Sequence, residues 1–157
     1  MDRIPITKEG YEKVKAELER LKKVERREVI KAIEEARGHG DLSENAEYDA
    51  AKERQGMIEA RIAELESKMA RFEVIDTSKL KGDKVVFGAT VKIENLDTGE
   101  IKTYKIVGPD ESDISKGYIS IISPIARALV GKKVGDDVTV IAPNGEVEYE
   151  ILEISFD

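Results

Sequence analysis

Apolar residues at Tyr11, Val14, Leu18 and Leu21 fall in alternating steps of three and four, the spacing that lines one face of a helix. Ahead of them Thr7 is suited to cap the helix start, with Ile6 placed to pack against Tyr11 across the cap. Past Leu21 the phase wavers through Val24 and the basic pair Arg26-Arg27, then returns at Ile30 and Ile33. Gly38 follows Arg37 and predicts a helix end closed by a left-handed glycine. A second helix is expected to start between Asp41 and Glu44. Its seam is cleaner: Ala51, Ile58, Ile62, Leu65, Met69 and Phe72 keep heptad spacing. Two helices of roughly 30 residues each would be about 45 Å long at about 1.5 Å per residue. So short a connection makes them antiparallel. The narrow seam, with charge on every other face, predicts a two-stranded coiled coil whose free end is the turn that begins at Gly38.

From residue 76 the period changes from helical to alternating. Segments 84–87 and 89–96 read as strands, and Asp97-Thr98-Gly99-Glu100 is a turn that returns the chain along 101–107 as a hairpin. A further strand is expected at 118–122. Ser123 then caps a short helix over 125–129, with Pro124 at the favoured first position and Gly131 beyond its end. Segment 138–141, the Pro143-Asn144-Gly145 turn and segment 146–154 complete a last hairpin. The expected fold class is α+β: a long antiparallel helical coiled-coil hairpin over 1–75, and a twisted antiparallel sheet with one short helix over 76–157. Residues 76–82 form the linker.

Composition narrows the function classes. Charged residues make up 38% and aromatics 5%, with no tryptophan, which suits a solvated helical rod better than a large core. There is no cysteine, so disulfides and thiolate metal sites are excluded and a reducing cytoplasm is expected. No apolar run approaches the roughly 20 residues needed to cross a bilayer, and the start, Met-Asp-Arg-Ile-Pro, lacks the shape of a signal peptide. The net charge of −7 argues against binding nucleic acid through an overall positive field. Residues 1–75 hold 16 Lys and Arg against 18 Asp and Glu, whereas residues 76–157 hold 10 against 15. Any nucleic-acid contact is therefore local and assisted by a partner.

Candidate chemistry concentrates in the tip, 38–44. Asp41 and Glu44 lie three residues apart at the expected helix start, where their side chains can share a face. Asp at the cap with Glu three residues later is also an acidic capping box, and Glu47 and Asp49 continue to favour the positive helix end. The pattern leaves both roles open, and a carboxylate has lone pairs enough for both. A solvated cap, however, needs no rod of about 45 Å to present it. Two carboxylates alone are a poor site for free magnesium, but they become useful where another enzyme supplies the remaining ligands. His39 is the only histidine, and without a second His or Cys nearby it does not make a zinc site. Gly38 and Gly40 read as conformational, letting the chain reverse. No glycine-rich phosphate loop and no nucleophile–base pair is present, so the chain lacks the equipment of a self-contained enzyme. Arg37 and Lys52 flank the tip on opposite helices as a small positive spot, or as ordinary solvated charge. The basic cluster at 20–27 is interleaved with Glu19 and Glu25 and reads as a solvated face.

The stretches IPITKEGYEKVKAEL, GDLSENAEYDAAKE, VFGATVKIENLDTGE, YKIVG and SPIARALVGKKVGD closely resemble the bacterial Gre-type transcript cleavage factors, GreA branch, along essentially the full length of the chain. The tip motif is the specific part. The resemblance implies that the hairpin enters the secondary channel of bacterial RNA polymerase and completes the polymerase's own active site on backtracked complexes. It implies that Asp41 helps hold a second Mg²⁺ and Glu44 orients or activates the attacking water, the ion being shared with the polymerase and none tightly bound by this chain. Arg37 and Lys52 fall at the family's basic spot for the extruded 3′ RNA. The second of these is commonly Arg, and Lys keeps the charge without the bidentate fork. The C-terminal half resembles an FKBP-like domain that docks on the polymerase, with Ser123 and Pro124 as candidate docking residues. With 5 Tyr, 3 Phe and no Trp in the whole chain, it lacks the aromatic-lined pocket of an active prolyl isomerase. The alternatives are a Gre homologue that inhibits polymerase through the same channel, an isomerase or chaperone, and a structural coiled-coil adaptor. Inhibitory relatives change the tip, whereas this chain keeps Asp41, Glu44, Asn45 and Tyr48. A monomer is expected, since the seam is satisfied within the chain.

Overall fold

The computed structural model describes residues 2–38 and 45–156. They divide into two compact units, one of residues 12–72 and one that joins residues 2–11 to residues 73–156. The C-terminal unit thus recruits the chain's first residues, which a single cut at 75/76 separates from it.

The first unit is a helical hairpin. Helix α1 (Lys8–Arg20) runs through a five-residue π-helical segment, Leu21–Glu25, into α2 (Arg26–Arg37), and α3 (Ala46–Arg71) returns alongside. The wavering phase after Leu21 has a physical cause: the Arg26 amide donates to the Leu21 carbonyl five residues back, so one extra residue is absorbed in that turn. The seam therefore resumes at Val29, fully buried, and not at Ile30, which is 42% exposed. Leu21, Val29, Ile58, Ile62 and Leu65 form the seam's buried centre, with Val14 and Leu18 packed against it. Burying each such side chain contributes about 1.5–3 kcal/mol. Cross-helix ion pairs run in the opposed order expected of antiparallel helices: Lys22 with Glu66 (3.4 Å), Arg26 with Glu59 (2.8 Å) and Glu28 with Arg54 (3.6 Å).

The second unit is built on a five-stranded sheet in the order β5-β4-β3-β7-β6: β3 (Thr90–Asn95), β4 (Ile101–Val107), β5 (Tyr118–Ser120), β6 (Asp137–Ala142) and β7 (Gly145–Ser155). The 101–107 hairpin and the last hairpin lie where the turn signals place them. Two expectations change. Residues 84–87 are no strand: Val85 donates to Lys132 O (2.8 Å) and accepts from Gly131 N (2.8 Å), so this stretch is held by the loop after α4 (Pro124–Leu129). And β5 is parallel to β4, because the chain crosses back through short 3-10 turns at Pro109–Glu111 and Ile114–Lys116 in place of a hairpin. The core gathers Val91 and Ile93 from β3, Ile106 from β4, Ile119 from β5, Val138 from β6, Ile151 from β7, and Ala126 and Leu129 from α4. The α+β class is as expected.

Residues 2–11 join this unit through a strand pair and a shared carboxylate. Strand β1 (Ile4–Thr7) pairs with β2 (Phe72–Ile75). Glu111, in the first 3-10 turn, accepts from Thr7 N (3.0 Å), from Gly108 N (2.8 Å) and from the Thr7 hydroxyl. Thr7 Oγ1 in turn accepts from Gly10 N (3.1 Å), the capping role expected of it. Glycine is required here by close approach: a methyl on Gly10 would collide with the Glu111 carboxylate, and one on Gly108 with the Pro5 carbonyl.

Candidate functional site: the hairpin tip

Of the residues singled out by sequence, Asp41 and Glu44, with His39 and Gly40, lie outside the described residues. What is described is the helix end on either side of them. Helix α2 ends at Arg37, and Gly38 N donates to Glu34 O (3.3 Å) and Glu35 O (3.1 Å). Gly38 has φ −67° and ψ −12°, so the left-handed terminator expected there is not used: the last turn tightens in right-handed geometry.

Helix α3 begins at Ala46, and its cap is Asn45, whose Oδ1 accepts from Tyr48 N (3.0 Å). Helix α3 thus starts later than the expected 41–44, and the capping role expected of Asp41 lies outside the described residues. Asn45 also donates from Nδ2 to Ala36 O (2.7 Å), a carbonyl in the last turn of α2. An ionised carboxylate accepts only, so no Asp could make both bonds. One amide therefore ties the end of α2 to the start of α3. Sequence reasoning named Asn45 as part of the tip motif but did not assign it the cap; the signal was an Asn three residues before a helical Tyr.

Arg37 and Lys52 are both exposed, Arg37 at the last position of α2 and Lys52 in the second turn of α3. Lys52 donates to Gln55 Oε1 (3.2 Å), one turn further along its own helix. Glu47 and Asp49 occupy the first turn of α3, where the helix dipole favours negative charge. Further along the hairpin, the bidentate hydrogen bonds from Arg26 hold the Glu59 carboxyl below its ordinary range and raise the guanidinium in turn. Among the described residues, no group of three or more His, Asp or Glu is placed to hold a metal ion.

In the second unit Ser123 caps α4: its Oγ accepts from Ala126 N (3.3 Å) and donates to Ser120 O (2.7 Å), while Pro124 is exposed at the first helical position. An open depression of about 240 Å³ on the sheet is lined by Thr90, Lys92, Thr103, Glu153 and Ser155. No helix among the described residues is long and apolar enough to cross a membrane.

Comparison with known proteins identifies relatives along the whole chain. Residues 4–74 match the family described as "Transcription elongation factor, N-terminal", and residues 79–156 match "Transcription elongation factor, GreA/GreB, C-term". The chain is 60% identical over 156 residues to transcription elongation factor GreA of Nitratidesulfovibrio vulgaris (strain DP4), covering 99% of this chain and 95% of that one. It is 58% identical over 156 residues to the GreA of Thermodesulfovibrio yellowstonii, covering 99% of each. Among solved structures, GreA factor homolog 1 of Thermus thermophilus is 30% identical, covers 98% of this chain and 99% of its own, and superposes with a TM-score of 0.44.

Proposed function

This chain belongs to the GreA/GreB family of transcription elongation factors, and from that premise we propose that it inserts its helical hairpin into the secondary channel of RNA polymerase and stimulates the polymerase's own cleavage of backtracked nascent RNA. The observation that supports this proposal is the position of the motif GDLSENAEYDAAKE, residues 40–53: it starts after the end of α2 and runs into the first two turns of α3, where the chain passes from one arm of the hairpin to the other.

Asp41 and Glu44 are hard oxygen donors of the kind Mg²⁺ takes, and two of them leave most of an octahedral shell to the polymerase and the RNA phosphates. In this scheme Asp41 is the ligand this chain lends, and Glu44 holds and orients the attacking water and receives its proton. Held by Asp41 together with the polymerase, Mg²⁺ would supply Lewis-acid chemistry toward the phosphate and the water. Arg37 and Lys52 stand beside the extruded 3′ RNA and neutralise phosphate. Ser123 and Pro124 form part of the surface that rests on the polymerase. The protein works as a monomer in the cytoplasm and holds no ion tightly on its own.

The test is cleavage in stalled, backtracked elongation complexes with magnesium. Asp41→Asn and Glu44→Gln should each lower the stimulated rate by about 100-fold or more while competition for polymerase is unchanged. The isolated protein should show no nuclease activity. Full stimulation by both variants, or a robust polymerase-free RNase, would refute the assignment.

A further inference from the structure

We propose that the free edge of β6 is a docking site for an extended, Lys- or Arg-bearing segment of a partner protein, which joins the sheet as an added strand. The cleavage role proposed above is not needed for it. β6 (Asp137–Ala142) ends the five-stranded order, with β7 as its one neighbour in the sheet. Its register with β7 is unbroken from Asp137 opposite Glu150 to Ala142 opposite Gly145. Ile151 N donates to Asp136 O (3.0 Å), which sets the alternation of the ladder. Val138, Val140 and Ala142 therefore bond to β7, and Asp137, Thr139 and Ile141 turn their N–H and C=O groups outward. Among the described residues nothing hydrogen-bonds to those outward groups. The opposite edge, β5, is blunted by its length of three residues. Over Asp137–Ala142 there is no proline, lysine or bulge to protect the edge. Ile141, 74% exposed, stands out more than any other large apolar residue described.

The occupant follows from charge. Val138 and Val140 are buried, so Asp137, Thr139 and Ile141 stand on the face away from the core. Opposite them in β7 are Glu150, Glu148 and Glu146. Glu150 also faces Glu94 of β3, so three carboxylates line up across three strands. Like charges directly opposite are unfavourable, and among the described residues no ion pair reaches any of these carboxylates. A cationic strand laid beside Asp137 relieves that row. A second copy of this chain would bring the same acids to the same edge, and a nucleic acid would bring phosphates. A protein segment with Lys or Arg at alternate positions satisfies both features at once. Its backbone meets the outward N–H and C=O groups, and its cations meet the acidic face.

The experiment is amide hydrogen exchange and titration of the full-length protein with a short peptide of alternating lysine and valine. Two further forms of the peptide are N-methylated, one at the lysines and one at the valines, so that each loses the donors of one edge. In the free protein Thr139 and Ile141 should exchange fast, and Val138 and Val140 slowly. The peptide should slow exchange at Asp137, Thr139 and Ile141 by about 10-fold or more. One methylated form should bind about 10-fold more weakly than the other. Thr139→Pro removes an N–H that bonds nothing in β7, so it should keep the melting midpoint and weaken peptide binding by about 10-fold. Asp137→Asn should weaken it by about twofold to fivefold. Outward amides already protected in the free chain would overturn the proposal, since the edge is then covered by this chain or by a second copy. So would failure of the peptide to bind. Binding without protection of those amides, or equal binding of the two methylated forms, would reduce the effect to ionic attraction. Equal binding of a glutamate–valine peptide would refute the cationic partner.

Discussion

Glu59 holds Arg26 through two hydrogen bonds of 2.8 Å, and the consequence is a pH dependence written into one surface pair. The hydrogen bonds from Arg26, then its charge, lower the folded-state pKa of Glu59 from its ordinary 4.5. A carboxylate whose folded pKa is depressed contributes stability that is fully present above the unfolded pKa and is lost as pH falls through the folded one. Glu59→Gln should therefore melt below the parent protein at pH 7. The gap should start to close as pH drops below the ordinary 4.5 and vanish once the folded carboxyl is protonated. Thermal melts of the two proteins across that range check it, and a gap that persists or widens at low pH would show that the pair contributes through something other than charge. Asn45 shows the same scale from the other side. Its local pattern is one cap candidate among Asp41, Ser43 and Asn45, and nothing within a few residues selects it. What distinguishes Asn45 is its bond to Ala36 O, nine residues away, which is why the motif was legible in the sequence while the capping role of Asn45 was not.

At the scale of elements, the seam of α3 was legible because an uninterrupted helix converts spacing directly into burial: Ala51, Ile58, Ile62, Leu65 and Phe72 are all buried. The first helix was only half legible. Spacing exposed the fault after Leu21 but could not show how it is absorbed, so Ile30 stood in for Val29. The π segment accounts for this as one residue too many, taken up between Leu21 and Arg26 where Lys22 and Lys23 are exposed. Deleting Lys23 should accordingly turn Leu21–Glu25 into ordinary α-helix, leave Leu21 and Val29 a heptad apart, and preserve every seam contact on both sides. Helix content and melting midpoint should hold or rise. Deleting Ala60 from α3 is the contrast: it rotates Ile62 and Leu65 by about 100° relative to Ile58, and misplacing two buried side chains costs several kcal/mol. Circular dichroism melts separate the two, and equal damage from both deletions would mean the π segment has a role of its own. In the sheet, the hairpins announced themselves through Gly-containing turns. The parallel β4–β5 pair did not, since its crossover is made of short 3-10 turns that carry no periodicity.

For the whole molecule, the informative contact is the one of greatest sequence separation. Thr7 and Glu111 lie 104 residues apart, and no pattern within either segment points to the other. Their bonds make the C-terminal unit discontinuous: its sheet and helix come from the second half of the chain, but Glu111 finds its Thr7 donors only on residues that precede α1. A fragment of residues 76–157 alone should therefore fold with a loosened 108–113 turn, because Glu111 keeps the Gly108 donor and loses both bonds from Thr7. Joining residues 2–11 to residues 73–157 through a Gly/Ser linker restores the missing strand, and about ten residues reach roughly 18 Å. The linked form should melt higher than the 76–157 fragment and in a single transition. Glu111→Gln in the linked form should give back about 1–3 kcal/mol of that gain, the range for hydrogen bonds to a charged group. If the two fragments melt together, residues 2–11 are a passive lead into α1. If the linked form is more stable and Glu111→Gln erases most of the difference, one carboxylate is what seats the start of the chain in the unit built from its end.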